Sequence, residues 1–306
     1  MSDAIDISII IPTKNGSRTL DRVLSVVFEQ KTLHTYEVIV VDSGSTDNTL
    51  GLLSKYPVRL FEISPEKFSH SRTRNYGATL SRAASYLVFL NQDAIPTDEY
   101  WLENLIKSIE QGQDVKAVCA MELYEKKKFL NVTGVASYVF KNSHVKGSYV
   151  IEPFLLSKTA DMPKSEQRQL FPFTTVCAIF DKKHFTLHPF NEEVEWGEDL
   201  HWAVDNSNQG YKSACTSLAK VFHFHEYSEQ ELKLIMEYSM KAYKEIFGWD
   251  EVFFEQFILT LNQNAGSCEA SRNIDALLNS LSWKITAPFR KMHAFLLRHC
   301  GRRENR

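Results

Sequence analysis

Apolar runs alternate with helical patterns along the first part of the chain, and this alternation restricts the fold more than any other feature. The runs lie at residues 7–13, 36–45, 58–63 and 86–90. Helical spacing of apolar residues follows at 20–28 and from Trp101 onward, and a helix is predicted at 69–84. Continuous apolar runs predict strands buried on both faces. Strands separated by helices of about 10 to 15 residues predict an α/β fold with an open, mostly parallel sheet flanked by helices.

The middle of the chain is less periodic, and its elements are predicted from shorter patterns. Strands are predicted at 117–124, 174–180 and 220–228, and a helix that begins near residue 198 is predicted to end near Gly210. After residue 228 the composition is helical, and no further strand is predicted. We therefore predict an α/β domain in residues 1–228 and a C-terminal helical extension in residues 229–306.

The composition excludes several classes of protein. Of 306 residues, 43% are hydrophobic and 24% are charged, and the formal net charge of −3 leaves no excess of basic residues to coat a nucleic acid. The five cysteines lie far apart without zinc-site spacing, which predicts free thiols in a reducing compartment. Because the N-terminus lacks a signal-peptide pattern and no apolar run reaches roughly 18 residues, we expect a cytoplasmic protein.

Polar side chains follow the apolar runs at the points where the predicted strands end. Thr13 and Asn15 follow the first run, Asp42 and Ser43 the second, and Asp93 the fourth. Open α/β sheets bind ligands at the carboxyl ends of their strands, so these groups are candidates for one site. Carboxylates there can hold a divalent cation or contact a nucleotide. Asp42 and Asp93 are also common residue types in turns and helix caps, and this alternative stays open.

Three further stretches carry groups with a possible chemical function. In "HSRTRN", Arg74 lies near the start of a helix, either on a solvated basic face or in a diphosphate site. In "WGEDL", Glu198 and Asp199 are either acids favoured by the helix dipole or a general base with a neighbour. In "FHFHEYS", His223 and His225 share one face of a predicted strand, as surface histidines or as metal ligands.

Taken in order, these stretches resemble one enzyme family. The motifs are "IIIPTKN", "VIVVDSGSTDNT", "FSHSRTRNYGA", "YLVFLNQDAIP", "GEDLHWA" and "FHFHEYS". Together they resemble the family-2 inverting glycosyltransferases with a GT-A fold, and "FSHSRTRNYGA" with "LNQDAIP" is most similar to the bacterial rhamnosyltransferase-like branch. The resemblance covers roughly residues 5–228, so it implies a nucleotide-sugar-binding and catalytic domain there.

The resemblance implies a function for each matching position. The nucleotide-sugar-binding residues would be Pro12, Thr13, Asn15, Asp42, Ser43, Arg74, Asn75, Asn91 and Gln92. Asp42 would contact the base, and Arg74 and Asn75 would lie near the diphosphate. Asp93 would bind Mg²⁺ or Mn²⁺, with His225 as its first-choice distant partner and His223 as the second choice. Asp199 would be the catalytic base, with Glu198 beside it.

Two positions depart from the family pattern. The usual DxD signature would place its first aspartate at Asn91, so one carboxylate of the metal site is replaced by an amide. The helix after the acidic pair commonly carries an arginine, and "HWAVDNSNQGY" has none. Two other functions therefore stay open: a sugar nucleotidyltransferase, which would release pyrophosphate, and a non-catalytic nucleotide-sugar-binding protein.

The implied substrates belong to bacterial surface-polysaccharide synthesis, such as O-antigen or capsule. We expect a dTDP-L-rhamnose donor and a glycan or lipid-linked glycan acceptor. In the tail, residues 284–306, bases flank an apolar helical face of Phe289, Met292, Phe295 and Leu296. This pattern predicts either a core-packed helix or a peripheral helix on the anionic inner face of the cytoplasmic membrane, which liposome binding would distinguish.

Overall fold

The computed structural model describes residues 4–123, 148–151, 171, 173–223, 229–250 and 253. Its centre is an open nine-stranded sheet. The strands are β1 (Ile7–Thr13), β2 (Tyr36–Asp42), β3 (Arg59–Glu62), β4 (Tyr86–Leu90), β5 (Ala94–Pro96), β6 (Val115–Leu123), β7 (Ser148–Ile151), β8 (Cys177–Asp181) and β9 (Lys212–His223). Their order in the sheet is β3-β2-β1-β4-β8-β6-β9-β5, with β7 also paired to β9.

Helices cover both faces of this sheet. They are α1 (Leu20–Phe28), α2 (Thr49–Leu53), α3 (His70–Thr79), α4 (Trp101–Gln111), α5 (Lys182–Leu187), α6 (Glu198–Asn208) and α7 (Glu229–Phe247), with a 3₁₀ turn at Pro65–Lys67. Within the described part of the chain, none of these helices combines the length and the apolar character needed to cross a membrane.

The predicted open α/β sheet is confirmed, but its second half is mixed rather than mostly parallel. β1 runs parallel to β2 and β4, and β2 runs parallel to β3. β8 is antiparallel to both β4 and β6, whereas β6 and β9 are parallel. Apolar runs report burial and not strand direction, so the sequence could not show that β8 enters the sheet reversed.

Alternation along the strands divides the core between the two faces of the sheet. In β1, Ile9 and Ile11 pack with α1 and α4 on one face, while Ile10 packs on the other face with the aromatic side chains of α5 and α6. All three isoleucine side chains are fully buried. This two-residue period is what a strand with helices on both sides requires.

The packed core continues beyond the predicted boundary at residue 228. Met236, Tyr243 and Phe247 of α7, together with Trp249, belong to the same buried cluster as Trp202 of α6. The helical character predicted after residue 228 is confirmed as far as residue 247. His225 and the predicted membrane-binding tail at 284–306 lie outside the described residues, so those assignments stay predictions.

Candidate active site

The strand ends that were predicted to share a site are adjacent in the sheet. Thr13 at the end of β1 pairs with Asp42 at the end of β2. Gln92, after β4, fixes the loop that follows β1: its Oε1 accepts a hydrogen bond from the Lys14 N–H at 3.0 Å, and its Nε2 donates to the Lys14 carbonyl at 3.1 Å. Gly16 permits this contact, because a Cβ there would lie 2.5 Å from Gln92 Oε1.

The Asp42 carboxylate is fully buried and stabilises the turn that follows it. Its Oδ1 accepts hydrogen bonds from the N–H groups of Gly44 at 2.9 Å and Ser45 at 2.8 Å, and its Oδ2 accepts from the Ser45 hydroxyl. The Asn15 N–H donates to Ser45 Oγ at 2.8 Å, and the Ser43 hydroxyl donates to the Thr13 carbonyl. The carboxylate therefore acts as a turn former here, and its contact with a base stays a prediction.

A separate pocket of about 300 Å³ brings together some of the other predicted groups, whereas Asn75, Gln92 and Asp93 are not part of its lining. Its polar lining consists of His70, Arg74, Asn91, Thr174, Thr175, Glu198, Asp199, His223 and Ser239. The nucleotide-binding candidates Pro12, Thr13, Asn15, Asp42 and Ser43 do not contribute to this lining. They lie at the joined ends of β1 and β2.

Arg74 connects two sides of the pocket. Its Nη1 donates to Glu198 Oε1 at 2.7 Å, and its Nη2 donates to Asn91 Oδ1 at 2.8 Å. Both partners of the ion pair are buried, with side-chain exposures of 4% for Arg74 and 7% for Glu198. The Arg74 Nε–H is buried and has no hydrogen-bond partner among the described residues.

Asp199 and Glu198 lie at the start of α6, after a left-handed residue, Gly197, with φ +76°. Glu198 is engaged with Arg74, and its Oε1 also accepts from the Thr175 hydroxyl at 3.3 Å. Asp199 accepts backbone hydrogen bonds from Thr175 at 3.1 Å and Leu200 at 2.8 Å. Burial, followed by the charge of Glu198, raises the pKa of Asp199 to about 6. A carboxyl group with this pKa can exchange a proton near neutral pH, so Asp199 is a candidate general base.

His70 is a pocket residue that was not selected from the sequence. Burial, together with the nearby Arg74 charge, lowers the pKa of His70 to about 3, so the imidazole is neutral at physiological pH. Its ring makes edge contacts with Phe68 and Trp196 at centroid distances of 5.3 and 5.2 Å. His70 could have been selected from the sequence because it lies four residues before Arg74, which puts both side chains on the same face of one helix.

Asp93, His223 and Glu122 form a buried polar group at the ends of β4, β9 and β6. His223 Nε2 lies 3.4 Å from Asp93 Oδ1, and His223 Nδ1 lies 3.1 Å from Glu122 Oε2. Burial acts to lower the pKa of His223, but the hydrogen bonds to both carboxylates outweigh it and raise the pKa to about 10.

This group fits a divalent cation in part. Asp93 and His223 are close enough to bind one ion if the ion displaces the Nε2 proton of the imidazole. Glu122 would then orient the ring from behind, as carboxylates commonly do for metal-ligating histidines. The described residues contain no cluster of three or more His, Cys, Asp or Glu side chains arranged to hold a metal. An ion at this position would therefore need further oxygen ligands, such as substrate phosphates.

Asn75 lies outside the pocket lining and has a structural function. Its Nδ2 donates to the Phe190 carbonyl at 2.8 Å, and its Oδ1 accepts from the Phe190 N–H at 3.1 Å. Nδ2 also contacts Glu192 Oε1 at 3.1 Å. These bonds attach α3 to the loop before α6 and use the whole amide, so the geometry does not favour the predicted contact with a diphosphate.

The remaining wall of the pocket comes from α7, which sequence patterns did not connect with the site. Its contributing residues are Leu234, Ile235, Ser239, Ala242 and Tyr243. An amphipathic pattern shows that a helix has a buried face, but not which element that face covers.

Sequence comparisons with known proteins identify a family and several relatives. The sequence profile "Glycosyl transferase family 2" matches residues 8–185. The O-antigen chain rhamnosyltransferase RfbN of Salmonella typhimurium is 29% identical over 226 residues, covering 74% of this chain and 68% of that protein. The corresponding WbaN of Salmonella anatum is 28% identical over 224 residues, covering 73% and 68%.

Solved structures share the fold at low identity. Glucosyl-3-phosphoglycerate synthase from Mycobacterium tuberculosis, in complex with Mn²⁺, UDP and glucosyl-3-phosphoglycerate, gives a TM-score of 0.56 at 15% identity and covers 81% of each chain. S. aureus TarS 1-349 gives 0.52 at 13% identity, covering 92% of this chain and 75% of that one. Since the family profile spans more than half of the sequence, the chain belongs to glycosyl transferase family 2 and is a glycosyltransferase with a GT-A fold.

Proposed function

We propose that this glycosyltransferase moves L-rhamnose from dTDP-L-rhamnose to a hydroxyl of a glycan or lipid-linked glycan in bacterial surface-polysaccharide synthesis, with inversion at the anomeric carbon. The observation that carries the proposal is the pocket in which Asp199, with its raised pKa, faces Arg74 and His223. The choice of sugar is supported by the O-antigen chain rhamnosyltransferases among the relatives.

Asp199 is the proposed base. It accepts the proton of the acceptor hydroxyl as that oxygen forms its bond to the anomeric carbon, and the bond from this carbon to the diphosphate breaks in the same step. The electron pair of the breaking bond leaves with the nucleoside diphosphate. Arg74 donates hydrogen bonds toward that developing charge, while Glu198 holds the guanidinium in place and keeps the pKa of Asp199 high.

Asp93 and His223 are the proposed holders of Mg²⁺ or Mn²⁺. When bound there, the ion would offset negative charge on the donor diphosphate. Of the two histidines predicted from the sequence, His223 lies beside Asp93, and His225 is outside the described residues. The likeness to a synthase solved with Mn²⁺ and UDP supports the proposal.

Donor turnover with and without metal tests this function. We expect the protein to release dTDP from dTDP-L-rhamnose in the presence of Mg²⁺ or Mn²⁺, and excess EDTA to abolish the release. The variant Asp93→Asn should lose most of this turnover, whereas Asp114→Asn, at an exposed aspartate, should keep it. His223→Ala should lose more activity than His225→Ala.

The products separate the proposal from its alternatives. Release of pyrophosphate would identify a nucleotidyltransferase, and saturable donor binding without any turnover would identify a binding protein. Activity unchanged by EDTA would exclude the metal part of the proposal, while leaving glycosyl transfer itself supported.

A further inference from the structure

The pocket lining combines two chemically different sets of side chains. Arg74, Asn91 and His223 supply polar groups. Trp196, Leu234 and Ile235 supply large apolar surfaces, and we call these three residues the apolar wall. Ligand pockets commonly combine apolar surfaces with a few oriented polar groups, so the apolar wall is a candidate for binding the carbon-rich part of a substrate.

The apolar wall is physically joined to the turn that carries Asp199. Tyr238 of α7 stacks on Trp196 with a centroid distance of 6.2 Å and an interplanar angle of 16°. A Cβ on Gly197, two residues before Asp199, would lie 3.4 Å from Ala242 Cβ. Helix α7 therefore contacts the turn before Asp199, and the apolar wall lines the same pocket as the proposed base.

Leu234 is the wall residue whose contact with a ligand can be tested most directly. It lines the pocket, yet its exposure is 48%, so part of its side chain faces solvent. A single exposed leucine is ordinary on a protein surface. In a pocket beside a base, the same surface is available to a ligand, and covering it removes apolar area from water.

We propose that the apolar wall seats the C–H face of the acceptor pyranose and so selects the acceptor. This inference rests on the proposed transferase function. The reason for choosing the acceptor is distance: a base must lie within about 2.6–3.2 Å of the hydroxyl it deprotonates, so the acceptor sugar lies against Asp199. The donor diphosphate is instead expected at the Arg74 guanidinium, because that group matches phosphate oxygens in charge and geometry. A pyranose ring presents C–H groups on its faces, which match the Trp196 ring and the two aliphatic side chains.

Acceptor kinetics of Leu234 variants test the inference. The probes are the methyl glycosides of L-rhamnose, D-galactose, D-mannose and N-acetyl-D-glucosamine, each with dTDP-L-rhamnose, and the best wild-type acceptor is carried forward. Leu234→Ser should lower kcat/KM for that acceptor about tenfold, with the KM for the donor changed far less. Leu234→Met, which keeps the apolar surface, should restore most of the loss. Leu187→Ser is the control, since Leu187 is 69% exposed and does not line the pocket.

Each outcome decides the inference. A higher donor KM with unchanged acceptor kinetics in Leu234→Ser would overturn it, because the wall would then contact the donor. Equal acceptor kinetics in Leu234→Ser and wild type would also overturn it, as would donor hydrolysis without transfer to any of the glycosides. A wild-type protein that neither transfers nor hydrolyses a nucleotide sugar would contradict the proposed function, and the inference with it.

Discussion

Replacing Asp199 by Asn is expected to lower kcat by about 10²–10⁴-fold while the KM for the donor changes little. The amide has nearly the same shape as the carboxylate but cannot accept the proton of the acceptor hydroxyl. One of the two backbone hydrogen bonds at Asp199 can persist through the amide oxygen and the other is lost, so the fold should be kept with a modest loss of stability. Steady-state kinetics, with circular dichroism as a check on folding, measure this.

The pH dependence of kcat provides a second test of Asp199 as the base. Burial and the charge of Glu198 raise the pKa of Asp199 to about 6, so the base is protonated and inactive below that pH and deprotonated above it. Wild-type kcat should therefore rise through pH about 6. Glu198→Gln removes one cause of the raised pKa, so this rise should move to lower pH, with a milder loss of kcat than in Asp199→Asn. Near-normal turnover in Asp199→Asn with a severe loss in Glu198→Gln would exchange the two functions.

Replacing Arg74 by Met should destabilise the protein by about 3–5 kcal/mol, because it leaves the buried Glu198 carboxylate without its partner. The free energy of unfolding, from urea denaturation followed by tryptophan fluorescence, measures the loss. Arg74→Met should also remove the hydrogen bond to Asn91, so the loop after β4 should become less well held.

The double variant Arg74→Met/Glu198→Gln is the matched control. It removes both charges, so it should recover a substantial part of the stability lost in Arg74→Met. Two results would contradict this prediction: Arg74→Met unfolds at the same urea concentration as the wild type, or the double variant is no more stable than the single one. Either result would show that the buried ion pair does not account for the predicted loss in the free energy of unfolding.

The strand ends could be predicted because they depend on short-range pattern. The run before Asp93 and the run before Asp42 each show burial on both faces, and neighbouring parallel strands bring their carboxyl ends to one edge. For Glu198 and Asp199 the sequence left open whether they are first-turn acids favoured by the helix dipole or a general base with a neighbour, and the structure places both in the first turn of α6.

Other features depend on contacts that a linear pattern does not contain. β5, Ala94–Pro96, is too short to show a period, and α3 ends at Thr79 rather than near residue 84. Whether Asp42 binds a ligand or forms a turn depends on the backbone of the next residues, which direct two N–H groups at its carboxylate. The place of Leu234 in the pocket follows from how α7 packs against α6, which no local signal specifies.

The anomeric configuration of the first product tests the central claim most directly. Direct displacement with Asp199 as base, and without a covalent sugar–enzyme intermediate, requires the new glycosidic bond to have the configuration opposite to that of the donor. Proton NMR of the product formed in the first turnovers from dTDP-L-rhamnose and the best methyl glycoside acceptor would show it. The account predicts a single, inverted anomer; a product that retains the donor configuration would contradict it.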